Sequence, residues 1–160
     1  MLTAHLPAGY LMARAFPRNL PGLMPAVLAG SLLPDLDMLW FHLVDHGTVQ
    51  HHMYWPHVPL FWLIVAVFCL PMLRHFGLVK TGLAFLAAVF LHLLLDTVAG
   101  GILWLYPFNT TLHYLVEVPA SHENWIVSFL LHWTMLLELL IWAAAGWVWF
   151  ASRVQAAGRL

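Results

Sequence analysis

Hydrophobic residues are gathered into five runs along the chain, and polar residues are concentrated in two stretches between them. The apolar runs occupy residues 6–16, 20–33, 58–73, 78–95 and 125–151, and the polar stretches occupy residues 35–57 and 109–124. No run shows the alternation of apolar and polar residues that a half-buried strand needs. The pattern therefore predicts helices and argues against a barrel.

The lengths of the runs indicate which of them cross a membrane. A spanning helix needs about 20 apolar residues. The first two runs are shorter than this, and Pro7, Pro17 and Pro34 interrupt the chain around them. Residues 125–151 are expected to form one long, tilted helix. We predict an all-α integral membrane protein with a single domain over residues 1–160, a bundle of about four to five helices whose N-terminal two are short.

The composition supports this class. Hydrophobic residues make up 62% of the 160 residues and charged residues 8%, and the mean hydropathy is +0.83. Soluble domains are about 45–50% apolar and about 25% charged. Such a chain cannot cover a water-soluble globule, which excludes an ordinary soluble enzyme, a disordered tail and a disulfide scaffold. A net charge of -1 gives no basic surface for nucleic acid. We expect the lipid bilayer as partner and no nucleic acid.

Basic residues mark one side of the predicted bundle. They follow the first run, join the third and fourth runs, and follow the last run: Arg14, Arg18, Arg74, Lys80, Arg153 and Arg159. Two helices separate the last two groups, so these groups share a side, and basic loops are usually cytoplasmic. We predict a multi-pass protein with these residues on the cytoplasmic side.

Histidine and aspartate residues gather at the opposite ends of the same runs. The chain has 11 histidines against 6 lysines and arginines, and ionisable groups in membrane segments indicate function by default. The residues at these ends are His5, Asp35, Asp37, His52, His57 and Asp96. We predict that distant segments bring them to one membrane face, on the extracytoplasmic side.

His92 and Asp96 form the clearest local motif in this set. Their spacing places both side chains on one face of a helix. A histidine and a carboxylate so placed can bind one divalent metal ion, or the carboxylate can orient the histidine. The alternative is a hydrogen-bonded pair that only joins two helices.

Asp35 and Asp37 follow Pro34, which disfavours helix at the residue before it and makes a turn plausible. A turn can direct both carboxylates into one site, where their oxygens suit hard and borderline cations. The alternative is that one of them caps the next helix.

Three imidazoles lie close together at His51, His52 and His57, with tryptophan and proline between them. Packing alone explains such a run poorly. The alternative is an interfacial loop whose histidines are simply solvated. His42 and His46 are also four residues apart, but they lie in a stretch expected to be exposed.

These motifs together resemble the YdjM family of bacterial and archaeal membrane proteins, which are predicted metal-dependent hydrolases. The family pattern has an early histidine, then Gly-x-x-x-Pro-Asp-x-Asp, then two histidines five residues apart, then His-x-x-x-Asp. The chain matches it at His5, Gly30 to Asp37, His52 and His57, and His92 to Asp96. The resemblance covers residues 1–110. Met53 and Pro56 replace the arginine and threonine that the family often has between its paired histidines.

The resemblance implies a metal site and hydrolase chemistry in a bacterial or archaeal inner membrane. The implied ligands are Asp35, Asp37, His52, His57, His92 and Asp96, with His5 as an additional candidate. Mixed histidine and carboxylate ligands suit zinc first, with manganese or iron as alternatives, and their number allows one or two ions. Asp35 and Asp37 are the candidate catalytic residues, since an aspartate that binds no metal can act as general base.

We therefore predict a membrane-bound metal-dependent hydrolase that attacks an ester, and a phosphate ester on a lipid-borne substrate would suit its location. The main alternative is a non-enzymatic metal-binding or metal/proton-transport protein using the same residues, with Glu138 near the middle of the bilayer. Two weaker alternatives are a haem protein with His92 and His132 as axial ligands, and a structural partner whose histidine-rich face docks a larger complex.

Overall fold

The structure is a computed structural model that describes residues 1, 3–17 and 19–157. Within these residues the chain forms seven α-helices: α1 (His5–Ala15), α2 (Leu23–Leu32), α3 (Asp37–Leu43), α4 (Pro59–His75), α5 (Val79–Ala99), α6 (Trp125–Leu130) and α7 (Met135–Ala157). Short 3₁₀ turns cover Pro34–Leu36, His51–Met53 and Trp55–His57. The predicted all-α bundle with short N-terminal helices is confirmed.

Helix α5 is the centre of the bundle, with α1, α2 and α4 packed against it. One buried cluster joins α1, α2 and α5 through Ala13, Leu23, Val27, Ala84 and Ala88. A second cluster joins α4 to α5 through Trp62, Val89, Leu93 and Ile102. The small alanine side chains let the backbones of α2 and α5 approach closely, as is common between membrane helices.

Within the described residues, two helices are long and apolar enough to cross a membrane, namely α5 and α7. A third span is possible if α2 and the segment Pro34–Leu43, which meet at 49°, count as one broken span. Helix α4 is apolar but has only 17 residues. Almost all of α7 faces outward, and α1 is the helix on which it packs most extensively. Most of the surface of α7 is therefore expected to contact lipid.

The C-terminal apolar run is not the single helix that its hydropathy predicts. It breaks between α6 and α7, and the break is built from hydrogen bonds of polar side chains. At the break, His132 Nδ1 lies 3.0 Å from Thr134 Oγ1 and 3.5 Å from the backbone nitrogen of Thr134. A hydropathy profile does not detect such hydrogen bonds, so it predicts one continuous helix. Because of the break, Glu138 lies in the first turn of α7 rather than in the middle of a helix.

The basic residues and the predicted site residues lie at opposite ends of shared helices. Arg14 ends α1, which His5 begins, and Lys80 begins α5, which carries Asp96 in its last turn. Glu138 is in the first turn of α7, and Arg153 is near its end. Arg18 and Arg159 lie outside the described residues.

Gly30 lies directly against the backbone of α5, where there is no room for a side chain. A Cβ atom at Gly30 would lie 2.5 Å from the carbonyl oxygen of Phe85 and 3.1 Å from Ala88 Cβ. We expect Gly30→Ala to destabilise the protein by about 1–3 kcal/mol, since the backbones must separate. Gly146→Ala is the matched control, because nothing lies within 4 Å of its added Cβ. Thermal unfolding in detergent measures both, and equal midpoints would contradict the close-packing role.

Candidate metal centre

The site lies where the ends of several elements meet. Asp35 is in the turn after α2, His52 and His57 are in the two turns before α4, and His92 and Asp96 lie on the C-terminal part of α5. We call these five residues the His–Asp cluster. All of them are buried except Asp35, whose side chain is 32% exposed. The cluster therefore has one accessible edge, at Asp35.

Side-chain atoms of the cluster converge within the distances that separate the ligands of one metal ion. Asp96 Oδ2 lies 3.0 Å from His92 Nε2, 3.6 Å from His57 Nε2 and 3.7 Å from His52 Nε2. Asp35 Oδ1 lies 3.5 Å from His92 Nε2 and 3.7 Å from His57 Nε2. Potential ligand atoms of His5, Asp35, His92 and Asp96 all lie within 4.8 Å of one another, as do those of His51, His52 and His57.

Each of the three cluster histidines is held by a hydrogen bond from Nδ1, the ring nitrogen that faces away from the cluster. His92 Nδ1 donates to the carbonyl oxygen of Ser31 at 2.8 Å, and His52 Nδ1 donates to that of Gly100 at 2.9 Å. His57 Nδ1 donates to the Asp37 carboxylate at 2.7 Å. These bonds place the proton on Nδ1 and leave Nε2 for the cluster. Metal-ligating histidines are usually held by such bonds.

Two features indicate that the cluster requires a positive charge. His57 Nε2 and His92 Nε2 face each other at 3.4 Å, and with both Nδ1 atoms protonated the two lone pairs would repel. Asp96 Oδ2 is buried and accepts no hydrogen bond from the residues that the structure describes. A zinc ion with bonds of about 2.0–2.1 Å to tetrahedral ligands would hold two nitrogens about 3.4 Å apart. The residues present therefore fit a divalent metal ion.

A proton can supply that charge when metal is absent, and the pKa values indicate where it resides. Burial lowers the pKa of His57, but the nearby carboxylates of Asp35, Asp37 and Asp96 outweigh burial and raise it to about 11. Burial lowers the pKa of His52 to about 3, which the charge of Asp96 offsets only in part. At neutral pH, His57 is the protonated member of this pair, and His52 is already neutral.

Metal binding is therefore expected to release about one proton per ion near pH 7, because a ligating His57 must lose the proton that its raised pKa retains. Metal affinity therefore rises with pH, and it falls about tenfold for each pH unit of acidification below the pKa of His57. Calorimetric titration with zinc in two buffers of different ionisation enthalpy counts the released protons. Identical heats in both buffers would contradict this expectation.

The opposite oxygen of Asp96 is held by the N-terminal segment. Asp96 Oδ1 lies 2.6 Å from the Met1 amine and 3.1 Å from His5 Nε2. His5 also donates from Nε2 to the Met1 carbonyl oxygen and stacks on His92, with ring centroids 3.8 Å apart. His5 therefore reaches the cluster, and its contacts support both Asp96 and His92.

Helix α7 holds this segment in place. Glu138 Oε2 accepts from the backbone N–H of Thr3 at 2.5 Å and from its hydroxyl at 2.8 Å. The Trp142 indole N–H donates to the same hydroxyl at 3.2 Å. Glu138 thus acts at the end of the bundle where the cluster lies. His132, the other ionisable residue predicted on this run, lies in the break beside Thr134.

Asp37 occupies a different position from Asp35, although only one residue separates them. Its Oδ2 atom accepts from His57, and its Oδ1 atom lies 3.6 Å from His51 Nδ1. These contacts are those of a residue that orients His57. The roles of Asp37 as a ligand and of Asp35 and Asp37 as catalytic groups stay predictions, as does ligation by His5, His52, His57, His92 and Asp96.

The sequence does not identify every group that contacts the cluster. His51 belongs to the run of three histidines but is not in the ligand set that the resemblance implies. The carbonyl oxygens of Ser31 and Gly100 have no side-chain signature at all. A side chain at Gly100 would collide with the His52 ring, so the glycine itself was the one available signal. By contrast, His42 and His46 are exposed, as expected.

Together, the helices and the cluster define an apolar helical membrane protein with a buried histidine–aspartate centre at one end of its bundle. The family model for the YdjM inner membrane protein matches residues 1–158, and the chain belongs to that family. The match extends beyond residues 1–110, where the motifs lie, and includes α6 and α7. No curated protein and no solved structure matches the chain.

Proposed function

We propose that this protein is a metal-dependent hydrolase that cleaves an ester at the membrane interface. The observation that carries the proposal is the convergence of three imidazole nitrogens on the buried Asp96 Oδ2, which accepts no hydrogen bond from the described residues, with the Asp35 carboxylate at the accessible edge. Burial of that many ionisable groups is costly unless they bind a cation. A purely structural hydrogen-bonded pair would need neither the third histidine nor Asp35.

The donor set favours a particular class of ion. Mixed nitrogen and carboxylate ligands suit zinc, manganese or iron(II) better than calcium or magnesium. The two neighbouring groups of potential ligands, one around Asp96 and one around His51, support one or two ions. When bound, such an ion supplies Lewis-acid chemistry that activates water and stabilises charge on a leaving oxygen.

Residues of the chain supply the remaining functions. Asp35 is the accessible carboxylate of the cluster and is positioned to accept a proton from water entering at that edge. Asp37 holds the His57 ring through Nδ1. A cavity of about 180 Å³ lies beside Asp35, His51 and His52, with Trp125 and Phe129 of α6 on its other side. It gives water and a substrate headgroup room next to the cluster.

We also propose that the protein is multi-pass and that the site faces the extracytoplasmic side of a bacterial or archaeal inner membrane. The separation of Arg14, Lys80 and Arg153 from the site end of α1, α5 and α7 supports this orientation. To test this orientation, Cys69 is replaced by alanine and single cysteines are introduced at the basic end and at the site end of the bundle. Labelling of each cysteine in intact cells by an impermeant thiol reagent then shows which end is extracytoplasmic.

Hydrolysis is tested with protein reconstituted with zinc or manganese and offered p-nitrophenyl phosphate, p-nitrophenyl acyl esters and phosphatidic acid in mixed micelles. We expect cleavage of at least one ester, loss of cleavage with a chelator and recovery with added metal. Stoichiometric metal binding without cleavage would contradict hydrolase function. Metal uptake into proteoliposomes that Glu138→Ala abolishes would instead support transport.

The distribution of ionisable residues favours hydrolysis over transport. A conduit needs polar groups along the length of the bundle. In α5, no ionisable residue lies between Lys80 and His92, and in α7 none lies between Glu138 and Arg153. The ionisable groups of both helices are thus confined to their ends, and those at one end belong to the site.

A further inference from the structure

An apolar groove lies beside the His–Asp cluster, and neither the metal nor the hydrolytic chemistry requires it. The groove has a volume of about 790 Å³ and runs between the turn after α2, α3 and the first turns of α4. Its walls include Leu36, Trp40, Trp55, Phe61 and Val65. Asp37 and Tyr54 also line the groove, and the Asp37 carboxylate is the charged group among its lining residues.

The walls of the groove present mainly hydrocarbon rather than polar atoms. The Trp55 and Phe61 rings meet edge to face with centroids 4.4 Å apart, and Phe61 meets Trp62 in the same way at 5.1 Å. The Trp62 indole N–H donates to the Pro56 carbonyl oxygen at 2.7 Å, which satisfies both groups. An occupant therefore finds few hydrogen-bonding partners here except at the Asp37 end.

The groove ends next to the cluster. Asp37 lines the groove, and its carboxylate accepts a hydrogen bond from His57 Nδ1. The other ring nitrogen of His57, Nε2, lies in the cluster. Leu36 lines the groove, and the residue before it, Asp35, is the accessible member of the cluster. Asp35 itself lines the neighbouring cavity of about 180 Å³ beside His51 and His52, so Leu36 and Asp35 carry the chain from the groove to the cluster.

The outer edge of the groove opens to the surroundings of the protein. Leu36, Trp40 and Trp55 are each more than half exposed. In a membrane protein, these side chains meet lipid, and tryptophan prefers the headgroup level. An acyl chain can enter such a groove from the side while its headgroup remains at the interface, next to the cluster.

We propose that the groove binds an acyl chain of a lipid ester and that this lipid is the substrate. The inference rests on the proposed hydrolase function, and it adds the substrate class and the residues that select it. The acyl chain lies along Leu36, Trp40 and Phe61. The ester or phosphate ester to be cleaved lies at Asp35, where water enters the cluster.

Photo-crosslinking tests the groove without requiring turnover. The probe is a lysophosphatidic acid with a diazirine near the end of its acyl chain, added to metal-loaded protein in detergent, and peptides are mapped by mass spectrometry. We expect saturable labelling of residues 33–40 and 54–65 that excess unlabelled lysophosphatidic acid prevents. Labelling of the outward face of α7 is expected to be weak and not saturable.

Matched substitutions distinguish the groove from ordinary lipid contact. Leu36→Trp fills the groove, whereas Leu39→Trp adds the same ring at an exposed position that does not line it. Val65→Trp and Val67→Trp form a second pair on α4. We expect the groove variant of each pair to reduce saturable labelling about tenfold, which corresponds to losing the burial of about two methylene groups. The controls are expected to keep it.

The outcomes separate the two proposals. Labelling that is not saturable, or that falls equally in groove and control variants, overturns the acyl-chain site even if the protein binds metal and cleaves soluble esters. Saturable labelling that Leu36→Trp reduces and Leu39→Trp does not supports the site. If that result accompanies a failure to hydrolyse any ester, the hydrolase proposal is lost, and with it the assignment of the bound lipid as substrate.

Discussion

Replacing His92 and Asp96 together is expected to remove metal from the purified protein. The wild type should carry one or two equivalents of zinc or manganese, and His92→Ala/Asp96→Ala should lower the affinity more than about 100-fold, since loss of outer partners alone costs about 10–100-fold. Between them, these two residues take part in every close approach within the cluster except that of His57 to Asp35. Metal content per chain is measured by elemental mass spectrometry after detergent purification.

Two further variants keep this result interpretable. Removing the buried Asp96 leaves the Met1 amine and His5 without their carboxylate, which can cost about 3–5 kcal/mol of stability. His92→Gln/Asp96→Asn keeps the side-chain volumes and should lose metal while retaining helical circular dichroism. His42→Ala/His46→Ala, an exposed pair with the same spacing, should retain metal. Unchanged metal content in both cluster variants would rule out this centre.

Asp37→Ala is expected to lower metal affinity about 10–100-fold without changing the number of ions bound, because it removes the acceptor that orients His57. Asp37→Asn should lose much less, since the amide oxygen can still accept from His57 Nδ1. Competition with a chelating dye measures both affinities. Asp45→Ala is a control for the loss of a carboxylate in the same region, where Asp45 bonds to Tyr54 rather than to the cluster.

The same pair of variants decides between the possible roles of Asp37. If Asp37 is itself a ligand, the asparagine variant should bind metal as poorly as the alanine variant, and one equivalent of metal should disappear. If it is a catalytic group, ester hydrolysis should fall with metal binding intact. The contacts of Asp37 with His57 and His51 predict neither pattern and favour orientation of the ring.

The parts of the site that sequence could predict are those governed by local geometry. His92 and Asp96 share a face because an α-helix repeats every 3.6 residues, and their side chains meet as predicted, with His92 Nε2 3.0 Å from Asp96 Oδ2. The opposition of basic residues and site residues follows from the same regularity. Such relations need only the helix, not the packing of one helix on another.

The parts that sequence could not predict depend on tertiary packing. Asp35 and Asp37 look equivalent in the motif, yet the turn at Pro34–Leu36 sends one into the cluster and the other behind His57. The Ser31 carbonyl oxygen reaches His92 only because α2 and α5 are in close contact at Gly30. The break before α7 was missed because it is made by a histidine and a threonine within an apolar run.

The hydrogen bonds between α7 and Thr3 distinguish the positions of α7 that hold the N-terminal segment from those that face outward. Glu138 and Trp142 are one turn apart and hold the segment that contacts Asp96. Most other side chains of α7 face outward. Replacing one outward-facing apolar side chain of α7 by another would therefore leave the contacts of Thr3 in place, whereas replacing Glu138 or Trp142 would remove them and with them a support of the metal centre.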